Sequence, residues 1–129
     1  MKKIFLAVLF VCLFAGISFA QTWHTADSVT IAWDAVTVPS GTVTYKTYIQ
    51  PYPSGVATNV GEVSTTNAVI TFQNEGRYIL GVSTVRVIDK EVLESEIAWS
   101  NVVESCLNGD TFAVKYFIKP NKPTGLVKQ

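Results

Sequence analysis

Apolar residues in this chain recur at every second position, and turn residues break the pattern at short intervals. A period of two places alternate side chains on opposite faces of a strand, whereas a helix needs a period near 3.6. Beyond the first twenty residues, no run of ten or more follows the helical period. Val29, Ile31 and Trp33 alternate with Thr30, Ala32 and Asp34, so residues 28–34 read as a half-buried strand. Pro39-Ser40-Gly41 is a turn, and Val43–Gln50 is a strand with Tyr45, Thr47 and Ile49 on one face. Pro51-Tyr52-Pro53-Ser54-Gly55 ends it, because proline cannot donate to a ladder. Val56–Val63 reads as a weaker strand, and Asn67–Phe72 as one with Ala68, Ile70 and Phe72 inward. After the turn Asn74-Glu75-Gly76 comes the longest strand, Arg77–Val87, with Tyr78, Leu80, Val82 and Thr84 on one face. Asp89-Lys90-Glu91 reads as a polar loop, and Ile97–Leu107 as the next strand. Asn108-Gly109 signals a hairpin into Thr111–Lys119, where Phe112, Val114, Tyr116 and Ile118 share a face. Many short strands at this spacing predict an all-β sandwich.

The first twenty residues follow different rules. Met1-Lys2-Lys3 is a basic start, Ile4 to Ile17 is almost wholly apolar, and Ser18-Phe19-Ala20 supplies small residues before a cut. That order is a secretory signal peptide, with a helix before cleavage and a mature chain from Gln21. The apolar run is short for a membrane span, which needs about 20 residues. The expectation is a secreted or periplasmic protein with no membrane segment after cleavage. The domain expectation is a leader at 1–20, one sandwich at 21–119 and a C-terminal segment at 120–129.

Removing the leader changes the charge and the cysteine count. Without Lys2 and Lys3, eight basic side chains face ten acidic ones, a net charge of about −2. A nucleic-acid binder would show a basic stripe or a high pI. Cys12 leaves with the leader, so Cys106 stands alone and no disulfide within the chain is expected. A buried thiol is the favoured reading, with an intermolecular bridge as the other. One His and one Cys are too few for a zinc site or a thiol–imidazole pair, and there is no Gly-x-Ser-x-Gly elbow. No metal, no cofactor and no catalytic residue is therefore expected.

Four motifs carry a family resemblance. Val-x-Ile-x-Trp at Val29–Trp33, followed by Tyr45, resembles the second and third strands of a fibronectin type III domain. Phe72 and Tyr78, with Gly76 between, resemble that family's corner before its long strand. Tyr78-x-Leu-x-Val-x-Thr resembles the strand itself, and Glu94-Ser95-Glu96-Ile97-Ala98-Trp99-Ser100-Asn101 resembles the opening of the last strand. The likeness covers Ser28 to Val103. The corner proline is absent, with Asn74 and Glu75 in its place, and only Gln21–Asp27 precedes the Trp33 strand. The resemblance implies an immunoglobulin-like (fibronectin type III-like) β-sandwich. It gives Trp33, Tyr45, Phe72 and Tyr78 structural roles, with the Tyr78 hydroxyl returned to nearby backbone.

Candidate sites are few. Asp89, Glu91, Glu94 and Glu96 cluster in sequence, but the spacing is not that of a calcium loop. The family resemblance makes Ile88, Asp89, Lys90 and Glu91 a candidate interaction loop. Tyr48, Tyr52 and Trp99 are aromatics that alternation turns outward, suited either to edge packing or to a glycan. Trp23 and His24 are expected to cover one end of the sandwich. The leading expectation is an exported, non-enzymatic binding module for a protein or glycan. The alternative is a structural subunit that self-associates. For that alternative, Pro120–Lys128 resembles the family's opening strand. Thr124, Gly125, Leu126 and Val127 then replace the missing first strand by pairing beside Ser28–Asp34, in the same chain or in a neighbour.

Overall fold

A computed structural model describes residues 21–129. The expected leader, residues 1–20 with its signal helix, lies outside the described residues. The described chain is all-β apart from two short 3-10 turns. Its strands are β1 (Thr22–Thr25), β2 (Ser28–Ala32), β3 (Thr42–Pro51), β4 (Thr58–Val63) and β5 (Asn67–Thr71). They continue as β6 (Gly76–Ile88), β7 (Glu91–Glu94), β8 (Ala98–Trp99) and β9 (Phe112–Tyr116). The larger sheet runs β1-β9-β6-β3-β4, with β7 and β8 also on β6. The smaller sheet holds only β2 and β5, paired antiparallel with Val29 opposite Ile70.

One core joins the two sheets. Ile31 of β2, Ile70 of β5 and the adjacent Phe72 meet Tyr78 and Leu80 of β6 and Val114 of β9. Trp33, Val29, Ile49, Val82, Phe112 and Tyr116 pack around them. The alternation read from the sequence thus places Ile31, Ile70, Tyr78 and Leu80 inward as expected. Strand β6 is also buried on its other face, at Ile79, Gly81, Ser83 and Val85. Trp99 explains part of that cover. It sits opposite Gly81, where a Cβ would stand 2.7 Å from its ring. Only a glycine leaves room for the indole to lie across the strand.

Five sequence expectations are corrected. Residues 97–107 are not one strand: β8 holds two residues, and the chain then coils through 3-10 turns at Val103–Ser105 and Leu107–Gly109. Asn108 and Gly109 both have positive φ, as the turn chemistry demands, but they close the second coil rather than a hairpin. Phe112 N donates to Ser100 O at 2.9 Å, so residues 101–111 are an excursion from one interrupted strand beside β6. The polar loop shrinks to Asp89-Lys90, because Glu91–Glu94 pairs with Val85–Ile88 as β7. The first strand is present: Thr22–Thr25 runs parallel to β9, on the larger sheet and not beside β2. Finally, residues 124–127 form no strand here, and every residue from Phe117 to Gln129 is exposed. Within the single chain Thr124–Val127 does not pair with β2.

The corner before β6 is built as the sequence suggested. The Tyr78 ring is buried, stacks on Phe72 at 5.1 Å, and its hydroxyl donates to Asn74 O at 2.6 Å. The corner therefore forms without the proline, since the acceptor is a backbone carbonyl that Asn74 supplies equally well.

Candidate functional site

The end of β6 and the start of β7 form a hairpin whose β6 arm lies against the turn at Pro39-Ser40-Gly41. Ile88 pairs with Glu91, so Asp89 and Lys90 are the whole connection. Both have positive φ, 50° and 66°. That is the signature of the two-residue turn matching strand twist, a turn that normally carries Asn-Gly or Asp-Gly. Asp tolerates the first position. Lys90 stands where glycine is favoured, and a left-handed L-residue costs roughly 1–2 kcal/mol. The tip thus holds a charged side chain in a backbone state its own stereochemistry opposes.

Around that tip lie Asp89, Lys90 and Glu91, all exposed, and Ile88, half-buried. Behind it, Val87 faces Val92 across the strands, and Leu93 faces Arg86. Val92 is 64% exposed and Leu93 49%. These two apolar side chains follow the charged turn, one on each face of the hairpin.

The finger is held from both sides. Arg86 donates from Nε to Ser40 O at 2.9 Å and from its terminal nitrogen to Ser40 Oγ at 3.1 Å. Gly41, with φ 89°, lies so close that a Cβ would strike the Val87 carbonyl. On the sheet's outer face Ser83 Oγ donates to Glu94 Oε1 at 2.7 Å, and the Tyr48 hydroxyl donates to the same oxygen. These two donors hold the Glu94 carboxyl below the usual glutamate range, the Ser83 contact first. The Tyr48 hydroxyl is pushed up, chiefly because ionising it would break the bond to Glu94. Thr84 N donates to Ser95 Oγ at 2.9 Å, continuing the stitching past the end of β7.

No protein-family model matches this chain, and searches of curated proteins and of solved structures return no match. The site therefore rests on geometry.

The structure separates the acidic residues that cluster in sequence. Asp89 sits in the turn, while Glu94 is committed to Ser83 and Tyr48. Among the described residues no group of three His, Cys, Asp or Glu side chains could hold a metal ion. Cys106 is half-buried, and its thiol donates to Ser100 O at 3.2 Å. Burial first, and Asp110 second, raise its pKa, which disfavours the reactive thiolate. Its environment is the excursion at 101–111, not the strand expected from sequence.

The aromatics fall into different settings. Trp33 packs edge-on to Tyr45 at 5.4 Å, and the Tyr45 hydroxyl accepts from Val36 N at 2.9 Å. Tyr52 is partly exposed but packs edge-on against Trp23 at 5.1 Å. Arg77 and Lys115 lie 5.9 and 5.3 Å from the Trp23 ring, a cation–aromatic cluster that sequence spacing did not reveal. Its four members come from separate segments, so only the sheet register brings them together. His24 faces Phe112 at 6.5 Å.

Two open grooves run between the sheets. One, of about 520 Å³, has Ile49, Tyr78, Val56 and Val60 with Asn59 and Gln73. The other, of about 540 Å³, follows β2 from Ser28 to Ala32 and is closed by His24, Thr25, Ala26 and Phe112.

Proposed function

We propose that this chain is an exported, non-enzymatic binding module with an immunoglobulin-like, fibronectin type III-like sandwich. It recognises a protein through the β6–β7 hairpin. The observation that carries this reading is the tip: Lys90 at φ 66° between exposed charges, with Val92 and Leu93 bare behind it. Glycine is the residue this turn favours at that position. Strained positions that surrounding structure holds in place concentrate at functional sites. The Arg86–Ser40 and Glu94–Ser83 contacts support the reading, because a pre-ordered finger loses less entropy on binding. The motif order from Val29 to Ser100, the Tyr78 corner and the two sheets on one core support the architecture. The basic, apolar and small-residue order of residues 1–20 supports export.

Site-specific crosslinking in the cell of origin tests the binding reading. A photoreactive residue at Leu93 is expected to capture one protein. Lys90→Gly or Val92→Asp should abolish that capture, while a probe at Thr65, on the β4–β5 turn, should not give it. Equal capture from both positions, or a glycan as the only ligand, overturns the reading. Intact mass of the exported protein tests cleavage after Ala20.

A further inference from the structure

We propose that the outer edge of β2 accepts Pro123–Lys128 of a second copy of this chain as an added antiparallel strand, with Leu126 filling the groove beside Val29. The proposal stands apart from the hairpin reading and rests on different residues.

The receiving edge is incomplete. Among the described residues β2 pairs with β5 alone, so its other side presents unpaired backbone groups. Beside that side lies the 540 Å³ groove, whose apolar wall is Val29, Ile31 and Phe112. A second hollow, of about 280 Å³, continues past Ile31 and Ala32 to Trp33 and Cys106. The indole Nε1 of Trp33 is buried with no hydrogen-bond partner. Buried donors are almost always satisfied, so this one is an exception within the single chain.

The donor segment is on the same chain. Leu126 is 96% exposed and Val127 70%. Ile118 N donates to Glu75 Oε1 at 2.7 Å, fixing the root of the tail at the corner before β6. That corner lies at the pole where β2 begins, because Ser28 pairs with Thr71 and Gly76 pairs with Tyr116. An antiparallel partner of β2 must start at the opposite pole, beside Ala32. A tail leaving one molecule at its lower pole therefore meets the upper pole of the next molecule head to tail. Such a contact is heterologous and builds open chains of subunits.

Charge and face fix the register. Placing Leu126 opposite Val29 puts Thr124 opposite Ile31, on the same inward face. It also sets Lys128 opposite Asp27. Pro123 then falls at the first position of the added strand, where its missing N–H is tolerated.

The test uses residues 21–129, which contain every described element, a variant lacking 120–129, and a labelled peptide of residues 119–129. The full chain should grow in mass with concentration, and the truncated chain should stay monomeric. The peptide should bind the truncated chain and shift the amides of Thr30 and Ile31. Leu126→Asp in the peptide should weaken binding by roughly tenfold or more. Asp27→Lys should weaken it, and Lys128→Asp in the peptide should restore it. Val92→Asp should leave assembly unchanged, which separates this proposal from the hairpin reading. Three results overturn it: a peptide that leaves β2 unshifted, assembly that persists without the tail, or a full-length monomer whose tail covers its own β2.

Discussion

The two sheets of this protein share a core yet differ in how they end. In the larger sheet β6 is flanked by β3 along one side and by β7, β8 and β9 in turn along the other. Its backbone is paired almost throughout, and both its faces are covered. The smaller sheet is a single pair, β2 and β5, five residues each. An isolated pair of that size is marginal in water. It persists because Ile31 and Ile70 are pressed against Leu80 and Val114 across the core. Backbone pairing secures one sheet, and side-chain burial secures the other.

Core truncation is the strongest way to break that comparison. Ile70→Ala and Leu80→Ala should each cost about 2–5 kcal/mol, measured by denaturant unfolding, because both side chains are 1% exposed. A near-neutral Ile70→Ala would mean that the smaller sheet does not lean on the larger. Tyr78→Phe comes next. It leaves the Phe72 stack but removes the bond to Asn74 O, and should cost on the order of 1 kcal/mol. Lys90→Gly should act in the opposite direction. Relieving the left-handed lysine should raise stability by up to about 1 kcal/mol, while the crosslinked partner of the hairpin is lost.

The smallest effect is one of pH. Ser83 and Tyr48 lower the Glu94 pKa in the folded chain, so the ionised form stabilises the fold. That stabilisation is complete above the ordinary glutamate value of about 4.3 and is lost as pH falls through the lower folded value. Melting temperatures of the parent should therefore decline more steeply below about pH 4.3 than those of Glu94→Gln. Equal slopes would show that the carboxyl adds nothing to the hold on β7.

The two sheets were not equally legible in the sequence. Val29, Ile31, Ile70, Tyr78 and Leu80 alternate cleanly, and each lies on the face that alternation assigns. The strand beside β6 was not readable as built. Glu91-Val92-Leu93-Glu94 has two charged ends and no inward position, since all four residues are exposed. Only the two-residue turn and the pairing to β6 make it a strand. Asn108-Gly109 carries correct local chemistry, but a turn signal does not say whether strands follow on both sides. Thr22–Thr25 is too short to show a period, and its parallel pairing with β9 spans almost the whole chain. The hairpin tip was legible as the polar residues Asp89-Lys90-Glu91, whereas its strain is a property of φ and so entered only with the structure.

Amide hydrogen exchange on the monomeric chain lacking residues 120–129 tests the contrast between the sheets most directly. Amides of β6 from Tyr78 to Val85 should exchange only through global unfolding, whereas the outward-facing amides of β2 should exchange through local opening, orders of magnitude faster. Equal protection of β2 and β6 in that monomer would contradict the account, because it would mean that the edge of the smaller sheet is already closed.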